Sequence, residues 1–158
     1  MNSAARKPKR FFTVEEANQR LPLVRAIVGD IMRLYEDVHE RKERLSRVRQ
    51  LPGSASRDDE SVYGEEVRQI EDDLEKDITR LEEFVDELRE LGVELKDPLS
   101  GLIDFPARIE GREVYLCWKH GEEDIAHWHE VDAGFSGRQS LFSNVSGEPP
   151  GGAGEDGA

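Results

Sequence analysis

Two runs of apolar residues spaced three and four positions apart constrain this chain more than any other feature. The first run covers residues 14–48 and the second covers residues 67–91, with Pro52 and Gly53 between them. Steps of three and four place apolar side chains along one face of a helix. Two such helices of similar length, joined by a loop, form an antiparallel hairpin. The sequence therefore predicts a helical hairpin over residues 13–92.

Capping residues specify the start of the first helix. Thr13 followed by Glu16 forms a capping box, and Phe12 stands at the position of a hydrophobic staple. Pro22 lacks the backbone N–H that a helix interior requires. We therefore expect a short first helix, a kink near Leu21 and a restart.

Charge supports the antiparallel arrangement. The first helix ends with five basic residues between positions 41 and 49, and the second opens with acidic residues. Basic residues stabilise the C-terminal end of a helix and acidic residues its N-terminal end, because of the helix dipole. An antiparallel hairpin also places the two clusters side by side. We therefore interpret the basic segment as a neutralised helix end rather than a nucleic-acid-binding patch. The acidic residues are Asp58, Asp59, Glu60, Glu65 and Glu66.

The period changes to two after the helices, which predicts strands. Residues 102–109 and 113–119 alternate, and Glu110-Gly111 suits a two-residue hairpin turn. In that register Phe105 faces Leu116, Ile103 faces Trp118, Ala107 faces Val114, Asp104 faces Cys117 and Arg108 faces Glu113. Pro106 has no backbone donor, so we expect this strand to form an edge of the sheet. A third strand is predicted over residues 125–130.

The predicted fold class is α+β, with a long, coiled-coil-like antiparallel helical hairpin packed on a small three-stranded antiparallel β-meander. One domain is expected over residues 11–142, with the meander and a closing loop at 101–142. A disordered basic arm is expected at 1–10 and a disordered Gly/Pro/acidic tail at 143–158, because these compositions bury little apolar surface.

The stretch HWHEVDAGFSGRQ raises the question of a site. Adjacent strand residues point to opposite faces, and burying the larger apolar ring places Trp128 in the core. His127 and His129 then lie on the outer face. The same parity places five other residues on that face, namely Asp104, Arg108, Tyr115, Cys117 and Lys119.

Three chemistries could use this outer face, and the sequence leaves them open beside a polar face that only meets water. His127 and His129 are weak candidate ligands for a divalent metal, with Cys117 or Asp104 completing the set. Cys117 could act as a nucleophile with His127 as base and Asp104 orienting it. An anion could bind a set of cations, namely Arg108, Lys119 and Arg138.

The segment after the third strand is expected to close over the outer face. Arg138 is the cation of this segment, so we expect it to form an ion pair with Glu130 or Asp132. Two glycines flank Phe135, as in a turn that holds an aromatic ring in a pocket. A ligand-binding loop is the alternative.

Overall composition limits the function classes. The 158 residues carry a net charge of −13, which disfavours general binding of nucleic acids or anionic membranes. A single cysteine fits a reducing compartment. No apolar run approaches the roughly 20 residues of a membrane span, so we expect a cytoplasmic protein.

Three segments in order resemble a bacterial family catalogued as domain of unknown function 2203. They are FTVEEANQRLPLV, LKDPLSGLIDFPARIEGREVYLCWK and WHEVDAGFSGRQ, and the resemblance extends over residues 11–141. It implies a small cytosolic domain and brings no catalytic residues. Its WHE and GFxGR elements favour His129, Glu130 and Arg138 over His127 and Cys117 as site residues.

Two functions follow as hypotheses. The first is a binding or scaffolding module that acts through its helical hairpin and polar sheet face, with a protein partner or a second copy of the chain. The second is a metal-assisted or acid–base hydrolase with His129 as ligand or base. The candidate site residues are His129, Glu130, Asp132, Arg138, Tyr115, Asp104 and Arg108.

Overall fold

The computed structural model describes residues 9–50 and 62–142, with the backbone alone at 62 and 63. It contains two helices, α1 (Val14–Arg49) and α2 (Val62–Glu90). Five strands follow in one antiparallel sheet in chain order: β1 (Glu94–Asp97), β2 (Leu102–Ile109), β3 (Arg112–Lys119), β4 (His127–Glu130) and β5 (Gln139–Ser140). Apart from Lys9 and Arg10, the arm and tail expected to be disordered lie outside the described residues.

The α+β class is confirmed, but the sheet has five strands rather than three. The two strands missed are β1, with four residues and an irregular register against β2, and β5, with two residues. With two residues, β5 is too short to display the alternation on which the prediction depended. In β1 the alternation is limited to Glu94 and Lys96.

The capping box at the start of α1 is confirmed, whereas the expected break at Pro22 is wrong. The Thr13 hydroxyl accepts from the Glu16 N–H at 3.0 Å, and the Glu16 carboxylate accepts from the Thr13 N–H at 3.0 Å. The helix is continuous through Pro22. Since Leu21 and Val24 are buried on either side of it, packing offsets the loss of one hydrogen bond.

The register of the central β-hairpin is confirmed at every predicted pair from Ile103↔Trp118 to Arg108↔Glu113. Glu110 and Gly111 both have positive φ, at 55° and 76°, as a type I′ turn requires. The expectation that Pro106 makes β2 an edge is wrong, because β1 lies outside it. β1 pairs with residues 102–104 only, so no strand needs the missing donor, and the Pro106 carbonyl accepts from the Phe12 N–H at 2.8 Å.

The core has two parts, and the sheet covers only one half of the hairpin. The larger cluster joins the inner face of the sheet to the halves of α1 and α2 nearest to it. Its largest fully buried members include Trp118, Phe105, Ile31 and Leu88. The smaller cluster consists of helix residues: Val38, Leu45 and Leu74, with Leu34, Val67 and Ile78 against them. Beyond the sheet, the described hairpin is therefore only two helices thick.

Ion pairs between the described parts of the two helices confirm the antiparallel orientation. Arg41 pairs with Asp77, and Arg49 pairs with Glu71. These acids lie further along α2 than the opening cluster, of which Asp58, Asp59 and Glu60 lie outside the described residues.

Candidate functional site

The parity of β4 is confirmed. Trp128 pairs with Leu116 and belongs to the core, whereas His129 pairs with Tyr115 on the opposite face. That opposite face is nonetheless buried, because Asp104 is 2% exposed, Cys117 0% and His129 3%. The alternative that this row of polar residues simply faces water is therefore wrong. It is a polar cluster beneath the surface.

Charged side chains flank this cluster at the edge of the sheet. The Tyr115 hydroxyl donates to the Glu94 carboxylate at 3.1 Å. The Lys9 and Lys96 ammonium groups lie 5.8 Å and 5.6 Å from the centre of the Tyr115 ring. Burial raises the pKa of Tyr115, and the negative charge of Glu94 adds to the rise. Tyr115 is therefore a neutral hydrogen-bond donor that fixes Glu94 beside the cluster.

Asp104 and His129 form a buried pair across the sheet. The His129 Nε2 atom lies 3.1 Å and 3.0 Å from the two Asp104 carboxylate oxygens. β3 separates their strands, so the pair joins β2 to β4 across β3. On the other side of the ring, Nδ1 lies 2.7 Å from the Glu130 carbonyl oxygen.

These contacts fix where hydrogen atoms can lie. A carbonyl oxygen only accepts, so Nδ1 must carry a hydrogen. In a neutral ring Nε2 is then an acceptor, and it faces two further acceptors on Asp104. Such an arrangement requires a cation between Nε2 and the carboxylate, either a proton or a metal ion. Burial raises the pKa of the Asp104 carboxyl, although His129 opposes the rise, so Asp104 takes up a proton more readily than an exposed aspartate.

Cys117 lies on β3 between these two residues. Its Sγ, a carboxylate oxygen of Asp104 and a ring nitrogen of His129 all lie within 4.8 Å of one another. We call these three residues the buried cluster. Burial raises the pKa of the Cys117 thiol to about 12, and the charge of Asp104 adds to the rise. At neutral pH the residue is a thiol, so the arrangement does not favour it as a nucleophile.

Arg138 has other partners than those expected. Its Nη2 donates to the Glu122 carboxylate at 2.7 Å and to Nδ1 of His127 at 2.6 Å. The predicted pairing with Glu130 or Asp132 is therefore wrong, and Glu130 pairs with Arg112 at 3.0 Å. The cause is β5, which pairs with the first two residues of β4 and thereby places Arg138, the residue before β5, within reach of His127.

The hydrogen bond from Arg138 gives His127 a different role from that of His129. Burial lowers the pKa of His127, and the positive charge of Arg138 lowers it further, so His127 is neutral and occupied as an acceptor. The two histidines share a face but do not meet in one donor set, because the buried cluster contains only His129.

The glycines of the GFSGR segment have separate physical roles. Gly134 has φ 71°, which favours glycine, and a Cβ at Gly137 would lie 2.7 Å from the Cβ of Ala133. Together they form a 3-10 turn, Phe135–Gly137. The expected pocket for Phe135 is wrong, because the ring is 42% exposed and lies against two cations. These are Arg138 at 4.7 Å and Lys119 at 5.6 Å.

The predicted site residues therefore divide into two sets. Asp104, Tyr115 and His129 come together, with Glu130 supplying its backbone carbonyl. Asp132 is exposed, and Arg108 lies four positions along β2 from Asp104, stacked on Phe11 at 4.0 Å. The prediction missed several charged neighbours, namely Glu94, Lys96 and Glu122. The alternate spacing of Glu94 and Lys96 is the signal that could have placed both on the outer face.

A second candidate site lies at the far end of the hairpin from the sheet. Apolar side chains of both helices form the floor of a groove there, and charged residues form its rim. We call it the distal groove. Ile70 is 44% exposed within it. The lining residues are Leu45, Val48, Val67 and Ile70 on the floor, with Arg41, Arg44 and Glu66 on the rim.

A known protein family matches most of the chain. Residues 10–141 match the family described as "Uncharacterized conserved protein (DUF2203)". The chain belongs to the DUF2203 family. In this DUF2203 domain the match spans both helices and all five strands. No curated protein and no solved structure was found to match the chain.

The matched region includes the buried cluster, the GFSGR turn and the distal groove. No helix in the described ranges is long and apolar enough to cross a bilayer.

Proposed function

We propose that this DUF2203 protein is a self-associating binding module, and that its distal groove docks a second copy of the chain. The observation that carries the proposal is the apolar floor of the groove beyond the sheet. There Ile70 is 44% exposed although it belongs to the run of apolar residues, spaced three and four positions apart, on α2; we call each such run a heptad seam. A seam residue exposed to that extent is typical of a helix that packs against more than one neighbour.

Burial energetics favour an occupant for the groove. Near the sheet, the apolar stripes of α1 and α2 are covered both by each other and by strands. Beyond the sheet, the two stripes cover each other only in part. Removing apolar surface from water is worth roughly 25 cal/mol per Å², so covering the floor with a second hairpin is favourable.

Charge distribution supports a second copy as the occupant. The net charge of −13 makes two copies repel in general, so association needs local complementarity. The groove supplies it, because α1 contributes Arg41 and Arg44 to the rim and α2 contributes Glu66. One surface thus carries both signs, as an isologous dimer interface requires.

The same charges select the symmetry axis. A twofold axis along the hairpin places α1 of one copy opposite α2 of the other, so that Arg44 faces the partner's Glu66. A twofold axis across the hairpin would place α1 against α1 and bring basic rims together. We therefore propose a parallel, side-by-side pair of hairpins that form a four-helix bundle at their distal ends.

Sedimentation equilibrium of purified protein over a wide concentration range tests this proposal. The wild type is expected to dimerise, and Ile70→Glu is expected to weaken the dimer at least about tenfold, because it places a charge in the apolar contact. The matched control is Leu99→Glu, since Leu99 is 63% exposed and lies in the β1–β2 turn. A wild type that stays monomeric, or equal weakening by both variants, would overturn the proposal.

The hydrolase alternative has less support. Asp104 and His129 are 2% and 3% exposed, so a substrate would have to displace other side chains to reach them. A cytoplasmic location stays a prediction from composition.

A further inference from the structure

We infer that Asp104, Cys117 and His129 form a binding site for one divalent transition-metal ion of the zinc class, beneath the outer face of the sheet. The inference rests on the buried cluster alone and is independent of the distal groove. Oxygen, sulfur and nitrogen donors from β2, β3 and β4 lie within 4.8 Å of one another.

The orientation of His129 is the strongest argument. In metal sites, one ring nitrogen of a ligating histidine binds the ion while the other donates to a carbonyl or carboxylate. His129 has this arrangement, with Nδ1 at 2.7 Å from the Glu130 carbonyl oxygen and Nε2 directed at the cluster. The hydrogen bond from Nδ1 thus selects the tautomer whose Nε2 lone pair can bind a metal.

The donor set identifies the class of ion. Thiolate and imidazole together favour zinc and similar transition metals, whereas magnesium and calcium take oxygen donors. Zinc–ligand bonds of about 2.0 to 2.3 Å place tetrahedral donors about 3.5 Å apart. Nε2 of His129 and the Asp104 oxygens, 3.0 and 3.1 Å apart, must therefore separate slightly. Sγ of Cys117 lies within 4.8 Å of both residues and must approach by at most about 1.3 Å, which is within the reach of side-chain rotation. Three protein ligands leave a fourth position for water.

Charge balance explains why a buried ion is acceptable here. On binding, Cys117 loses its thiol proton to solvent, and the proton shared by Asp104 and His129 also leaves. A divalent cation, one thiolate, one carboxylate and a neutral imidazole sum to zero. The occupied cluster is therefore electrically neutral, which limits the cost of its burial.

Cobalt(II) titration of chelator-treated, full-length protein tests the site. We expect one ion per chain, with visible d–d bands and a near-ultraviolet thiolate-to-cobalt band. Cys117→Ser is expected to remove the thiolate band and weaken binding at least tenfold. His129→Gln is expected to weaken binding at least tenfold as well. Circular dichroism of each apo variant establishes that it is folded.

His127→Gln is the matched control. His127 neighbours the site in sequence but accepts from Arg138, so its loss is expected to leave cobalt affinity within about twofold of the wild type. In a separate measurement, zinc should raise the Tm of the wild type but not that of Cys117→Ser. No cobalt binding by the wild type would overturn the inference. Binding lost in His127→Gln but retained in Cys117→Ser would also overturn it.

Discussion

The Asp104–His129 pair should contribute to stability through a coupling that a double-mutant cycle can measure. The perturbations are Asp104→Ala, His129→Ala and the double variant, all in chelator so that only the protein interaction is measured. Each single change leaves the other residue without its partner in a place where both are at most 3% exposed. Water therefore cannot replace the lost contact.

The contact geometry sets the size of the effect. Nε2 lies 3.1 Å and 3.0 Å from the two carboxylate oxygens, and removing one partner of a buried pair typically costs about 3 to 5 kcal/mol. Contacting residues couple by about 0.5 to 3 kcal/mol, and burial places this pair in the upper part of that range. We expect a coupling of about 2 kcal/mol.

Urea denaturation followed by tryptophan fluorescence is a suitable assay, because Trp118 and Trp128 are both buried. The control cycle uses Asp30 and Arg33, an ion pair in which the two side chains are 46% and 75% exposed. That pair should couple by less than about 0.5 kcal/mol. A coupling for Asp104 and His129 no larger than that of the control would refute the reasoning.

Two further predictions concern the sheet. Gly101→Ala should lower the free energy of unfolding by more than about 3 kcal/mol, because Gly101 has φ +72° and a Cβ there would lie 2.6 Å from both His120 Cβ and Met32 Sδ. Gly111→Ala is the control, because Gly111 has φ +76° and an added Cβ would have nothing within 4 Å, so only backbone strain remains. It should lower the free energy of unfolding by about 1 kcal/mol in the same denaturation assay. Equal losses of stability in the two variants would contradict the steric explanation. Cys117, buried and with its pKa raised to about 12, should react with a thiol-specific disulfide reagent only as fast as the protein unfolds, and immediate labelling of the native protein would contradict its burial.

Local sequence patterns predicted the parts of the fold that depend on residues close together in the chain. The heptad seams predicted both helices, and alternation with the Glu110-Gly111 turn predicted the β2–β3 register pair by pair. The parity of Trp128 and His129 followed from comparing the apolar area of the two rings. Each inference used residues within one element or one hairpin.

The wrong predictions concern contacts between residues that are far apart in the sequence. Parity gives the direction in which His129 points, but it does not reveal that His129 pairs with Asp104, two strands away, or that both are buried. The partner of Arg138 depends on β5 returning beside β4, and a two-residue strand leaves no pattern in sequence. Phe135 was expected in a pocket because glycines flank it, but those glycines serve the 3-10 turn. The apolar pattern of the helices does not reveal the distal groove either, because it does not show how much of the hairpin the sheet covers.

The measurement that tests self-association most directly is rescue in trans. Arg44→Glu and Glu66→Arg should each be monomeric at concentrations where the wild type dimerises, because each brings like charges together at both contacts of a symmetric dimer. Mixed in equal amounts, they should form a heterodimer in which both Arg–Glu contacts return, seen by sedimentation as recovery of the dimer. If the mixture stays monomeric while the wild type dimerises, Arg44 does not face the partner's Glu66, and the proposed docking through the distal groove is wrong.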